Sequence, residues 1–321
     1  MISFVAFSAF RGTMDLRACV KISVVSNALN KALTPLLIHL LGMGISGSAL
    51  TALICDSVNA LSYLKLMTDR QYLVKSQLFR IPSWKTIAPI VKGSTLQVKS
   101  FALLFTNLLV TRKVQSLDTT GTAPAAYALA MQTFFLGSVI IFAMGMAIQT
   151  LYPTAVAASP DHHRSAYKKV LVQRLLTRGF GVGLAVSVIQ LLLAPGILRS
   201  TPLEAVRKAA TLPMFIVVAV QAIIGITSVG DGIIIGSGKF AVSSGLQVIA
   251  SLLYMACLQL TPQDKGLNGV FVCLGAFTVF RLVGVVAVLP SVVKDEDSGD
   301  QKQKVNVQHS TNSATLARSA T

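Results

Sequence analysis

Long stretches without a charged residue dominate the chain. No charged residue falls between Asp118 and Asp161, or between Lys208 and Asp231. Because a transmembrane helix needs about 20 mostly apolar residues in succession, such stretches predict membrane-spanning helices. Eight spans are predicted, near residues 22–41, 44–66, 87–110, 123–151, 179–198, 210–230, 240–260 and 268–290. The fold class expected is therefore an all-α, polytopic membrane protein.

Prolines and a glycine-rich turn mark where these helices bend or end. Residues 42–47 (GMGISG) predict a turn between the first two spans. Pro35 and Pro89 free backbone carbonyls of the kind that transporters use in binding sites. For Pro213, a position at the start of a helix is the preferred interpretation. Residues 1–10 lack the features of a secretory signal, so the chain is expected to begin partway through a membrane domain.

Composition supports this interpretation and excludes other classes of protein. Apolar residues make up 53% of the chain and charged residues 12%, whereas a soluble domain carries about a quarter charged residues. The bases behind the net charge of +16 flank the apolar stretches. The single tryptophan, with no interleaving of bases and aromatics, argues against a nucleic-acid partner. If the spans alternate, 19 of the 28 lysines and arginines fall on one face and six on the other, so the first face is predicted to be cytoplasmic or its organellar equivalent.

No hydrolytic, redox or metal-binding constellation is evident, so neither an enzyme nor a cofactor is expected. The pair His162-His163 is predicted to lie in a solvated loop, and His39 to pack between helices. The segment 230–239 fails the spacing of a phosphate-binding loop, since Ile233 stands where glycine is required. The cysteines lack CxxC spacing and are predicted to be small core residues. They are Cys19, Cys55, Cys257 and Cys273.

Ionisable residues inside the spans are the strongest functional signal. Each costs roughly 2.5–3.5 kcal/mol near the bilayer centre, so such residues usually face a cavity or a partner. The candidates are Lys31, Asp56, Lys99, Asp231 and Arg281. Asp231 lies between two glycines and could bind a proton or Na⁺, or form a buried ion pair with Lys99 or Arg281. Lys31, Lys99 and Arg281 could line a cavity for anions, or the last two could extend to the membrane surface. Asp56 could be a boundary residue.

Short motifs follow one another in a particular order over residues 1–290. They are Phe10-Arg11-Gly12 with Asp15, Asn30 with Thr34-Pro35, Gly44–Ala49, Ala125-Ala126 with Gln132, Ala147–Gln149, Gln221 with Asp231-Gly232, Gly236, Phe240, Leu267–Val270 and Arg281. Together they resemble the multidrug and toxic compound extrusion (MATE) family, in particular its DinF-like, plant-plastid branch. The resemblance begins at the end of that family's fourth helix and runs to its twelfth.

The resemblance implies a fold of two six-helix lobes that rock around a central cavity. Residues 1–82 would be the remnant of the first lobe with a cytoplasmic loop, and residues 83–290 a complete second lobe. Residues 291–321, which are polar and low in apolar content, are predicted to form a disordered cytoplasmic tail. The implied activity is antiport, in which inward H⁺ or Na⁺ drives the efflux of small organic compounds.

Departures from the family pattern concern its acidic positions. Thr34 stands at the fifth-helix aspartate, Phe142 at an eighth-helix aspartate and Lys239 at the aspartate after the tenth helix. Asp231 remains, and Asn30 keeps a polar position beside the changed one. The predicted ion-coupling or substrate site therefore comprises Asp231, Asn30, Lys99, Arg281 and Gln221.

Two other functions remain open at this stage. The basic residues suit a flippase for lipid-linked glycans or other anionic lipids, and the altered acidic positions suit a relative that no longer transports. The partners expected are the lipid bilayer and a small organic substrate. The plasma, vacuolar and plastid membranes, and the oligomeric state, are not distinguished by the sequence.

Overall fold

In a computed structural model, the described residues are 2–12, 15–72, 83–118, 120–159, 164–262 and 265–319. They form helices and connecting turns, with no strand among them. This confirms the all-α class. The chain divides into two compact units, Met1–Ile87 and Ala88–Thr321. The assignment of these units to two transporter lobes stays a prediction.

Up to Tyr72, the described residues of the first unit form three α-helices and one π-helical turn. They are α1 (Ile2–Gly12), α2 (Leu16–Pro35), the π-helical turn (Leu36–Leu40) and α3 (Gly44–Asp69). The break predicted at Pro35 is confirmed, because α2 passes into the π-helical turn directly after it. The predicted glycine turn is also confirmed, with positive φ angles of 64° at Gly42 and 55° at Gly44. Its core contains Ala6, Phe10, Cys19 and Tyr63.

The second unit is built around one central, mostly buried helix. Its helices are α4 (Trp84–Ser94, across which the division falls), α5 (Leu96–Leu117), α6 (Thr122–Ala157), α7 (Arg164–Arg199), α8 (Glu204–Gly236), α9 (Phe240–Leu260) and α10 (Gly266–Ser319). Helix α8 packs against α6, α7 and α10. A β-carbon on Gly183 of α7 would lie 2.7 Å from the carbonyl oxygen of Gln221 on α8, so small residues set the spacing of these helices.

Six helices in the described part of the chain are long and apolar enough to cross a membrane. They are Gly44–Asp69, Thr122–Ala157, Ser165–Arg199, Glu204–Gly236, Phe240–Leu260 and Gly266–Ser291. They cover six of the eight predicted spans. The other two predicted spans, 22–41 and 87–110, are helical but do not meet the same criteria.

Two details of the prediction are corrected by the structure. The predicted span 87–110 is divided at Thr95, because the sequence Gly93-Ser94-Thr95 interrupts the helix and α5 continues to Leu117. Pro213 does not start a helix, since α8 begins at Glu204 and charged residues extend its first turns. Helix α10 is drawn to Ser319, and the disordered cytoplasmic tail over residues 291–321 stays a prediction.

Candidate ion and substrate site

Asp231 lies in the most buried helix of the second unit. It is 8% exposed and stands five residues before the end of α8. Its glycine neighbours allow close helix packing, since a β-carbon on Gly232 would lie 2.5 Å from the carbonyl oxygen of Gly145 on α6. The sequence thus places a carboxylate where water has little access.

Two cations contact one oxygen of this carboxylate. Lys99 on α5 donates to Oδ2 of Asp231 at 2.9 Å, and Arg281 on α10 donates to the same atom. Ser243 on α9 donates to Oδ1 at 3.5 Å and lies 3.2 Å from the ammonium of Lys99. The cluster therefore joins four helices of the second unit.

The cluster is largely buried and carries an excess positive charge. The side chains of Lys99, Asp231 and Arg281 are 22%, 11% and 17% exposed. Two bases and one carboxylate sum to +1, in surroundings where charges interact more strongly than in water. Of the alternatives left open by the sequence, the ion pair with Asp231 is the observed one. The extension of Lys99 and Arg281 to the membrane surface is wrong, because both side chains turn inward to the carboxylate.

A cavity of about 130 Å³ with a largely aromatic lining has Arg281 as one of its lining residues. Its aromatic lining consists of Phe134, Phe135, Phe142, Tyr254 and Phe277. Its polar lining consists of Thr106, Asn107, Thr227, Thr278 and Arg281. Phe142, which the resemblance matches to an aspartate, contributes an apolar wall here instead of a charge. The cavity therefore combines mostly apolar walls with a positively charged end at Arg281.

Gln221 does not line this cavity. It is fully buried, and its amide nitrogen donates to the backbone carbonyl of Phe134 at 2.8 Å. Its amide also lies 3.5 Å from the hydroxyl of Ser138 on the same helix, α6. The structure therefore places Gln221 between α6 and α8, where it joins the two helices.

Four of the residues singled out from the sequence lie in the first unit. Asn30 is half-buried and accepts a hydrogen bond from the hydroxyl of Thr34 at 3.3 Å. Lys31, His39 and Asp56 are exposed on their helices, so the predicted packing position of His39 is wrong. The pair His162-His163 lies outside the described residues.

Cysteines and possible metal ligands add no further chemistry to the site. Cys19, Cys55 and Cys273 are buried and Cys257 is half-buried, and all four are free. Their predicted role as small core residues is confirmed for the three buried ones. Within the described ranges, no three histidine, cysteine or acidic side chains come together to hold a metal ion.

Ser243 and the aromatic lining of the cavity were not predicted from the sequence. Ser243 lies on a different helix from Asp231, and an isolated serine in an apolar span carries no distinguishing signal. The phenylalanines of α6 were not distinguishable from residues that face lipid, because both environments select apolar side chains. Helix packing decides between these environments.

Comparison of the sequence with known proteins identifies plant relatives of the chain. No protein-family model matches the chain. The chain is similar to the Arabidopsis thaliana proteins DETOXIFICATION 44, chloroplastic (25% identity, 88% of this chain and 53% of that protein) and DETOXIFICATION 43 (23%, 89% and 53%). It is also similar to DETOXIFICATION 45, chloroplastic, of the same plant, at 24% identity. The chain spans about half the length of the curated relatives it matches.

Solved structures that match this fold include MATE transporters. The Vibrio cholerae MATE transporter VcmN in its bent form matches with a TM-score of 0.72 and 18% identity, over 92% of this chain and 66% of that one. An outward-facing multidrug resistance MATE family transporter matches with a TM-score of 0.76 and 18% identity, over 91% and 67%. With its apolar helices, the chain is a multi-pass integral membrane protein. Its resemblance to the MATE family is thus confirmed in sequence and in fold.

Proposed function

We propose that this protein acts in the efflux of small organic compounds across a membrane, coupled to inward H⁺ or Na⁺. Asp231 would be the carboxylate that responds to the ion. The observation that carries this proposal is the contact of Lys99 and Arg281 with one oxygen of Asp231. No catalytic activity is part of the proposal.

Ion binding at Asp231 would alter how three helices are held together. A proton or Na⁺ on Oδ2 would displace the ammonium of Lys99 or the guanidinium of Arg281. Helix α8 would then lose a tie to α5 or to α10. An ion that binds one arrangement of the helices better than another shifts the equilibrium between them. This supplies a physical link between ion occupancy and helix movement.

The same event would change the charge that a substrate meets. Arg281 both contacts Asp231 and lines the aromatic cavity. When an ion neutralises Asp231, the positive charge at this end of the cavity is no longer balanced. A cationic substrate would then be repelled, which is the competition that antiport requires.

An anionic substrate is the second candidate, and the net charge of the cluster favours it. For an organic anion the linkage has the opposite sign, because a neutralised Asp231 frees Arg281 to bind the anion. Ion and anion would then bind together rather than compete. The flippase alternative belongs to this class, with a lipid anion as the substrate.

Reconstituted protein can distinguish these candidates. Liposomes containing the protein would be loaded with ethidium, a cation, or with fluorescein, an anion, and exposed to an H⁺ or Na⁺ gradient of either direction. Ethidium efflux that is faster with an opposing ion gradient supports antiport. Fluorescein movement that follows the ion gradient supports the anionic substrate. Rates equal to those of protein-free liposomes for both dyes, under both ions, would favour the non-transporting alternative.

The membrane in which the protein works is also a proposal. Two of the similar plant proteins are described as chloroplastic, which favours a plastid membrane over the plasma and vacuolar membranes. A fluorescent fusion imaged against chlorophyll would test this location.

A further inference from the structure

A cleft at the junction of α7 and α8 is lined by three basic side chains. Its volume is about 400 Å³, and its lining is Pro195, Leu198, Arg199, Arg207, Lys208 and Thr211. The cleft lies within the second unit, where one spanning helix ends at Arg199 and the next begins at Glu204. It is therefore at the level where a bilayer's apolar core gives way to its headgroups.

The positive charge of this cleft is poorly balanced. Between Asp161 and Asp231, Glu204 is the only acidic residue in the sequence. Its carboxylate contacts Lys208 at 2.8 Å, with both side chains exposed. Within the described part of the chain, neither Arg199 nor Arg207 has an ion pair, and Arg207 is half-buried. The cleft thus presents two arginines to an anion.

Both basic edges of the cleft continue into exposed apolar stripes. On α8, Lys208 shares a helix face with Leu212 and Phe215, which are 50% and 45% exposed. On α7, Arg199 follows Leu192 and Val188 on one face, and these are 75% and 49% exposed. The distance from Val188 to Arg199 is about 16 Å at 1.5 Å per residue, close to half the thickness of a bilayer core of roughly 30 Å.

The cleft lies on the face of the membrane that is predicted to carry fewer basic residues. The face to which the spans assign Arg199, Arg207 and Lys208 carries six bases in all, compared with 19 on the other face. Half of the bases on the poorer face therefore converge on one cleft. Basic side chains that extend individually to a membrane surface need not converge in this way.

We propose that this cleft binds an anionic phospholipid. The phosphate would contact Arg199 and Arg207, and the acyl chains would lie along the two apolar stripes. Arginine is suited to this role because its planar guanidinium can form two hydrogen bonds with phosphate oxygens. The proposal does not depend on the transport function, because none of the cleft residues belongs to the Asp231 cluster or to the aromatic cavity.

Lipid titration of the purified protein tests this site. Native mass spectrometry would count bound phosphatidylglycerol and phosphatidylcholine on the wild type and on the double variant Arg199→Gln/Arg207→Gln. We expect phosphatidylglycerol to bind the double variant about tenfold or more weakly, since two basic contacts are lost. A matched control is Arg112→Gln/Lys113→Gln, which removes two bases assigned to the same face and should change the affinity less than about twofold.

A second variant and a competition with phosphate distinguish lipid binding from misfolding and from simple anion binding. The charge-conserving variant Arg199→Lys/Arg207→Lys should bind more tightly than the glutamine variant, which would show that the glutamine result is not simple misfolding. Inorganic phosphate should not displace the lipid at millimolar concentration, since it cannot occupy the stripes. Equal loss of affinity in the glutamine variant and the matched control would overturn the proposal. So would unchanged affinity in the glutamine variant, or full displacement by inorganic phosphate.

Discussion

The ammonium of Lys99 lies 2.9 Å from Oδ2 of Asp231, although 132 residues separate the two along the chain. Arg281 reaches the same oxygen from a third helix. A single carboxylate therefore contacts two buried bases and joins α5, α8 and α10. These contacts predict that stability depends on this atom, and the proposed function predicts that ion coupling depends on it as well.

Replacing the carboxylate should destabilise the second unit. Asp231→Asn removes the balancing charge and leaves Lys99 and Arg281 without it, which costs about 3 kcal/mol for a buried pair. Thermal unfolding in detergent would measure the loss. The control Asp56→Asn, at an exposed aspartate of α3, should change stability by less than about 0.5 kcal/mol.

Removing one base should cost less than removing the carboxylate. In Lys99→Met, Asp231 keeps Arg281, so we expect a loss of about 1 kcal/mol. The double variant Lys99→Met/Asp231→Asn should be less unstable than the sum of the single variants, because once Asp231 is neutral, replacing Lys99 removes a base that has already lost its partner. Strict additivity would show that the contact between Lys99 and Asp231 carries no energy.

The close approach of α7 and α8 should be sensitive to one methyl group. In Gly225→Ala the new β-carbon would overlap the backbone carbonyl oxygen of Gly179, so the helices must separate, at a cost of about 1–3 kcal/mol. Gly181→Ala is the matched control, because nothing lies within 4 Å of its β-carbon position. The control should be neutral or slightly stabilising, since alanine favours helix more than glycine does. Equal effects on the unfolding temperature would contradict the packing described.

Gln221 should prove structural rather than substrate-binding. Gln221→Leu removes the hydrogen bond to the carbonyl of Phe134 and should lower stability by about 1 kcal/mol, with the affinity for a transported dye unchanged. Gln190→Leu is a useful comparison. Gln190 donates to the carbonyl of Thr133, but its own buried Oε1 has no partner among the residues that the structure describes, so its loss should cost less. A tenfold fall in dye affinity for Gln221→Leu, with unchanged stability, would place Gln221 in the site instead.

The stability of the first turn of α6 should depend on pH through Asp118. The hydroxyl of Thr120 and the amides of Thr120 and Ala123 donate to its carboxylate, and these bonds hold the pKa of Asp118 below its usual range. Folding lowers this pKa, so the bonds to Asp118 stabilise the helix fully above the ordinary pKa of about 4. This stabilisation is lost as the pH falls through the lowered pKa of the folded protein. Hydrogen-exchange protection of the Thr120 and Ala123 amides should fall in that range. Protection unchanged down to pH 2, or equal protection in Asp118→Ala, would count against this.

The sequence predicted the fold well because the apolar stretches that predict spans are also the segments that form helices. The sequence predicted helix ends less well, because charge and polarity do not always decide where a helix begins or ends. Thus α8 begins at Glu204, before Pro213, because a charged first turn is as helical as an apolar one. The break at Thr95 was missed for the opposite reason, since serine and threonine next to glycine end a helix without any charge.

The candidate site was only partly predictable. The cost of a charge in the membrane singled out five residues, and three of them, Asp231, Lys99 and Arg281, come together through the ion pairing that the sequence had left as one alternative. The sequence did not show that both bases contact one oxygen, because this depends on how α5 and α10 pack against α8. The aromatic cavity and the buried position of Gln221 depend on the same packing, which has no signature in a single sequence.

Transport by Asp231 variants is the most direct test of the central claim that this carboxylate couples ion and substrate. Wild type, Asp231→Asn, Asp231→Glu and Asp56→Asn would be reconstituted at equal density, and dye movement measured with and without an H⁺ or Na⁺ gradient. We predict that the gradient accelerates transport at least about tenfold in the wild type and in Asp56→Asn, partly in Asp231→Glu, and not at all in Asp231→Asn. A folded Asp231→Asn protein whose transport responds fully to the gradient would contradict the account.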